Sequence, residues 1–128
     1  MANSLRANAI FTGTQKGLTI VGDLCYAYSG AVSFDENETT LLEFNTGKNT
    51  VRVHVMPYRE DTDSLDSKHR LYLNNILVWG TAMSSGGSLA QEYNRVILPP
   101  LSLVKITIQN VSNTSGGSGG VALSGGIK

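Results

Sequence analysis

The chain has 128 residues, enough for one domain with a buried core, and its ten basic and ten acidic side chains cancel. Apolar residues make up 41% and charged residues 16%, with 14 glycines, a balance that excludes a disordered chain. Zero net charge leaves no global field to draw the protein to nucleic acid, and a single cysteine, Cys25, excludes both an intrachain disulfide and a cysteine-based zinc site.

Residues 1–17 are polar and rich in Gly and Thr, with isolated Leu5, Ile10 and Phe11. They carry no apolar core of a signal peptide, and no run in the chain reaches the length of a membrane span. The expectation is therefore a soluble product of a reducing cytoplasm with no membrane partner. Two readings of this segment stand together. It is a frayed terminus, or it is an arm whose Leu5, Arg6, Ile10 and Phe11 order on a neighbouring subunit or surface.

From residue 18 onward the pattern is period two, and helical periodicity is nearly absent. Strands fit "LTIVG" (18–22), "CYAYSGAVSF" (25–34) and "TTLLEFN" (39–45). In "TVRVHVMPY" (50–58), Val51, Val53 and Val55 point one way while Arg52, His54 and Met56 point the other. "HRLYLNN" (69–75) sets Leu71 and Leu73 against Arg70 and Tyr72, and "ILVWGT" (76–81) follows it directly. The Asn74-Asn75 pair between them reads as a two-residue hairpin turn, because Asn tolerates positive φ. "SSGGSLAQEYN" (84–94) is a loop with room for one helical turn. "RVILP" (95–99), "VKITIQNV" (104–111) and "GVALSGGIK" (120–128) complete the set.

Eight or nine short antiparallel strands with one apolar face must bury that face against a second sheet. The expected fold is all-β: a single antiparallel sandwich of jelly-roll type over residues 18–128, preceded by the arm. Pro99-Pro100 reads as a stiff, extended lead-in to a core strand with Val104, Ile106 and Ile108 inward. "SNTSGGSGG" then reads as the loop of a hairpin that joins this strand to the last one.

Chemistry-bearing motifs are sparse. Asp61, Asp63 and Asp66 in "EDTDSLD" offer oxygens to a hard cation, but the spacing departs from a calcium loop and a solvated acidic loop explains it as well. His54 and His69 lie on different strands and could approach each other across a sheet, yet they have no evident third ligand. Cys25 sits in an alternating apolar stretch and reads as an inert buried thiol. The serines lack a nucleophile elbow, and the glycine runs lack the Lys and the helix of a phosphate loop. No catalytic residue, metal or cofactor is assigned. Tyr26, Tyr28, Tyr72 and Trp79 are candidates for a surface or glycan contact, set against ordinary packing of aromatics in a sandwich.

One resemblance spans most of residues 20–128. "GDLCYAYSGAVSFDENETTLLEFNTG", an alternating strand, an acidic loop and "LYLNNILVW" are followed by "VILPPLSLVKITIQNVS" and a short final strand. This layout resembles the small β-sandwich proteins that decorate tailed-phage and related viral capsids. In those proteins a Leu-Pro-Pro-x-Ser segment leading into a Val-Lys-Ile-Thr strand recurs, as does a Tyr-Leu-Asn hairpin. The resemblance implies a non-enzymatic cement protein, made in the host cytoplasm and seated on the virion surface. Its implied partners are its own copies, as a homotrimer, and the major capsid protein. The alternative is a carbohydrate-binding module for host attachment.

Overall fold

The computed structural model describes residues 5–6, 17–59, 66–83, 94–112 and 116–127, with only the backbone of Leu5, Arg6 and Met83. Eleven strands occur among them: β1 (Leu5–Arg6), β2 (Thr19–Val21), β3 (Leu24–Tyr28), β4 (Val32–Phe34), β5 (Thr39–Asn45), β6 (Val51–Arg59), β7 (Ser67–Leu73), β8 (Ile76–Met83), β9 (Asn94–Leu98), β10 (Leu103–Asn110) and β11 (Gly117–Ile127). No described residue is helical. One sheet runs β1-β2-β3-β11-β6-β9, with β4 also on β11, and the other runs β5-β10-β7-β8.

The pairings are nested. The hairpin β7–β8 lies at the centre, then β6–β9, then β5–β10, and β3–β11 outermost, all antiparallel. Rolling this double ribbon lets β11 also pair β6 and β10 also pair β7, which closes two sheets over one core. That connectivity is a jelly roll. Its central turn is the Asn74-Asn75 pair, with φ of 51° and 70°, and Asn74 Oδ1 accepts the Leu103 amide at 2.9 Å.

Alternation decides what is buried. Val51, Val53 and Val55 of β6, Val104, Ile106 and Ile108 of β10, and Val121 and Leu123 of β11 are all buried, with Leu42, Phe44 and Leu71 among them. Leu73 is only partly buried against this core.

Three segments depart from the sequence reading. Cys25–Phe34 divides into β3 and β4 because Gly30 takes a positive φ of 71°. Pro99-Pro100 does not extend β10; it makes the corner where the chain leaves one sheet for the other. Thr46 locks that corner: its hydroxyl donates to the Pro99 carbonyl at 2.7 Å and accepts the Ser102 amide at 3.0 Å, while Leu101 adopts a positive φ of 57°. The hairpin expected at "SNTSGGSGG" does not form, since β10 and β11 lie in different sheets and Gly117–Gly120 belongs to β11 itself. The segment 84–93 lies outside the described residues.

Close approach is why glycine stands in β11. A Cβ at Gly120 would lie 2.6 Å from Ser29 Oγ and 2.7 Å from the Tyr58 hydroxyl, and would overlap the Gly30 carbonyl. Gly120→Ala is expected to lower stability by about 1–3 kcal/mol through overpacking. Asn75→Gly, which keeps the left-handed turn, is expected to leave the melting temperature unchanged. Thermal denaturation of the two variants followed by circular dichroism checks both.

Candidate functional site

The outer face of the seven-stranded sheet is the most site-like surface. Register places its side chains in rows across the strands: Tyr28, Ala122 and Met56; then Tyr26, Ser124, His54 and Arg95; then Leu24, Gly126, Arg52 and Ile97. The middle strand contributes only Ala122, Ser124 and Gly126, so a trough runs between the β3 and β6 side chains. An open groove of about 480 Å³ results, lined by Leu24, Tyr26, Tyr28, His54 and Ser124. The Tyr26 and Tyr28 rings stack on each other with centroids 5.1 Å apart. Large apolar side chains are left in solvent here: Val21, Leu24, Tyr26, Tyr28, Met56 and Ile97 are each 38% to 67% exposed.

The outer face of the four-stranded sheet carries a polar network over β5, β10 and β7, while β8 at its edge leaves Ile76, Leu77 and Val78 51% to 66% exposed. Glu38 Oε2 accepts the hydroxyls of Tyr72 and Thr107, each at 2.5 Å, and lies 3.8 Å from Arg70. Arg70 Nη1 also donates to Gln109 Oε1 at 2.6 Å, and Lys105 Nζ sits 5.2 Å from the centre of the Tyr72 ring. Burial alone would raise the Glu38 carboxyl, but the hydrogen bonds from Thr107 and Tyr72 and the charges of Arg70 and Lys105 bring it below its ordinary value. The Tyr72 phenol is raised in turn, chiefly by its bond to Glu38. These groups satisfy one another.

The four aromatic candidates therefore do not converge. Tyr26 and Tyr28 share the apolar face, Tyr72 belongs to the polar network on the other sheet, and Trp79 packs against the core opposite Leu71. The histidines are also apart: His54 is on the outer face of the seven-stranded sheet, whereas His69 is buried in the four-stranded one. Leu5 and Arg6 pair with Ile20 and Thr19 of the same chain, and Ile10 and Phe11 lie outside the described residues. So do Asp61 and Asp63, and among the described residues no three His, Cys, Asp or Glu side chains cluster to hold a metal. Cys25 is buried, which pushes its thiol up.

A buried polar cluster escapes the sequence reading. Arg59 and Ser67, at the two ends of the acidic loop, are both buried, and Arg59 Nη1 donates to Ser67 Oγ at 3.3 Å. His69 is next on the same inward face. Its Nε2 is 3.0 Å from the Gly120 carbonyl, which can only accept, so the proton is on Nε2. Nδ1 has no partner. Strand parity carries the signal: the alternation that turns Leu71 and Val55 inward also turns His69, Ser67 and Arg59 inward.

The fold is a jelly-roll sandwich whose seven-stranded sheet carries an apolar, aromatic-lined outer face and whose four-stranded sheet carries a polar network beside an apolar edge strand. Neither protein-family models nor curated proteins provide a match for the chain.

Burial, and secondarily the charge of Arg59, lowers His69 to about 4 from its ordinary 6.5. The unfolded chain then takes up the proton first. Stability is full above pH 6.5 and is lost as pH falls towards 4, by roughly 3 kcal/mol in total. Glu38 contributes only below its ordinary 4.5, so the loss between pH 6.5 and 4.5 is expected to flatten in His69→Gln. Urea denaturation midpoints measured across this pH range check it.

Proposed function

We propose that this is a non-enzymatic virion structural protein that decorates or stabilises a capsid surface as a homotrimer, with the major capsid protein as its partner. The observation that carries the reading is the inequality of the two outer faces. The seven-stranded sheet leaves six large apolar side chains uncovered around a trough, whereas the apolar exposure of the four-stranded sheet is confined to its edge strand β8, beside a polar network. An apolar patch of this kind, on the order of several hundred Å² on a small domain, marks an association surface. The jelly-roll topology supports the reading by fold-level analogy, since viral capsid domains are among those built this way. The Leu98-Pro99-Pro100-Leu101-Ser102 corner and the Val104–Thr107 strand add the resemblance to capsid cement proteins. Production in the host cytoplasm and residence on the virion surface follow from the same reading.

A second reading, glycan binding for host attachment, draws on Tyr26 and Tyr28 beside His54 and Ser124 in the groove. Stacking weakens it. The pair uses one face of each ring on the other, and Tyr72 and Trp79 lie elsewhere, so two ring faces at most remain for a pyranose to lie against.

Co-sedimentation tests the proposal. The purified protein is expected to pellet with intact capsids that lack it and to raise their thermal disruption temperature; protein that stays in the supernatant at saturating capsid rejects the reading.

A further inference from the structure

The trough over β11 is narrow, straight and different on its two sides, and these properties define what it takes. We infer that it binds an extended segment of a partner polypeptide, laid along β11, in which apolar and acidic residues alternate. The inference rests on the association reading above and names the chemistry of the segment that the partner supplies.

Size favours a single strand over a globular neighbour. Strands β2, β3, β11, β6 and β9 at about 4.8 Å spacing, with three rows about 6.8 Å apart, give a face of roughly 24 by 20 Å. That is roughly 480 Å², well under the ~800 Å² that each side of a standard interface buries. The trough within it spans only the distance from β3 to β6, about 10 Å, which is room for one strand. Its rows set the conformation. Leu24 with Arg52, Tyr26 with His54 and Tyr28 with Met56 flank Gly126, Ser124 and Ala122 in turn. These pairs repeat every second residue, about 6.8 Å apart, and so do the side chains on one side of an extended peptide. A helix is too wide, at about 10–12 Å with its side chains, and its turns repeat at about 5.4 Å.

The two walls select the side chains. On the β3 side stand Leu24, Tyr26 and Tyr28, all exposed. On the β6 side Arg52 is exposed, and behind it on β9 so is Arg95. Arg52 is flanked in register by Gly126 and Ile97, and Arg95 by His54, so neither guanidinium is paired with an acid on the sheet. Asp23 is exposed in the β2–β3 turn, but it adjoins the apolar wall, and β11 lies between that wall and β6. An extended segment standing in the trough points its residues alternately to the two walls. Apolar residues then meet Leu24 and the tyrosines, and acids meet the guanidinium side, which is charge complementarity with a period of two. On the floor the exposed Ser124 hydroxyl can donate to a peptide carbonyl, and the open mouth leaves the outward row of backbone groups in water.

Fluorescence anisotropy of labelled synthetic peptides, titrated with the full chain, is the test. A peptide of alternating leucine and glutamate, about six residues long to cover the three rows, is expected to bind at least tenfold more tightly than one with the same residues in two blocks. Ser124→Leu, which fills the trough from an exposed position on β11, is expected to weaken that binding at least tenfold. Arg52→Glu with Arg95→Glu is expected to exchange the preference, so that an alternating leucine–lysine peptide binds in place of the leucine–glutamate one. A damaged fold cannot produce that gain. Absence of peptide binding overturns the inference, as do equal binding of alternating and block peptides and binding indifferent to Ser124→Leu. A light-scattering mass above 13.7 kDa that Ser124→Leu returns to the monomer assigns the trough to a second copy and overturns it too. Glycan-array binding lost in Ser124→Leu overturns it in favour of the sugar reading. Capsid co-sedimentation is scored separately: peptide binding without pelleting retains the trough and loses the virion function, and pelleting without peptide binding does the reverse.

Discussion

Strand β11 must enter between β3 and β6, and the whole sandwich depends on whether the chain can be brought that close. It pairs β3 and β4 along one side and β6 along the other, so it is hydrogen-bonded on both sides for most of its length. A Cβ at Gly119 would lie 2.8 Å from the Tyr58 carbonyl, and one at Gly125 would overlap the Arg52 carbonyl. The entropy lost by ordering glycine is a real cost, of about 0.5–1 kcal/mol per residue relative to alanine. The burial of Val121 and Leu123 and the ladders on both sides offset it. Small residues on the outward face of the same strand have a second effect. They leave the trough between Tyr26 and His54, so one steric requirement both closes the core and shapes the exposed surface.

The polar groups divide according to the same geometry. On the four-stranded sheet, Glu38 is reached by two hydroxyls and an arginine from neighbouring strands, and the network faces water without needing a partner. Inside, His69 donates from its Nε2 to Gly120 of the opposite sheet and so ties the two layers together by a directional bond among otherwise non-directional contacts. The unpartnered Nδ1 marks the cost of placing an imidazole there, since a buried acceptor without a donor forfeits its hydration. The face over β3, β11 and β6 lacks such internal compensation, as does the edge strand β8, where Ile76, Leu77 and Val78 stay exposed.

Much of this fold is legible in the residues, for reasons that are local. Val51 to Val55 and Val104 to Ile108 alternate cleanly, and a slip of one residue would expose every one of them. Asn74-Asn75 announces its turn by side-chain chemistry alone. Parity even contained the buried Arg59 and His69, but a charged or titratable residue invites a surface reading unless the face is counted through. Pairing partners are another matter. Nothing near Gly117 tells that its neighbour is Phe34, because that contact is set by the rolled ribbon and not by the flanking sequence. "SGGSGG" has the composition of a flexible linker, and only the proximity of Tyr58, Ser29 and Gly30 shows why side chains are excluded. The candidate face was half legible: Tyr26 and Tyr28 share a parity, while their relation to Arg52 and Ile97 exists only through β11.

Nesting also bears on how such a surface comes into being. The β7–β8 turn closes two residues, whereas β3 and β11 join positions as distant as Leu24 and Gly126. Loop-closure entropy rises with separation, so it favours pairing from the Asn74-Asn75 hairpin outward, with β11 adding last. Before β11 is in place, Leu24, Tyr26 and Tyr28 on one side and Arg52, His54 and Met56 on the other do not belong to one surface. The apolar face is therefore a property of the completed sandwich alone. A chain still pairing its inner strands presents no such face, and the face forms only when the glycine strand is seated.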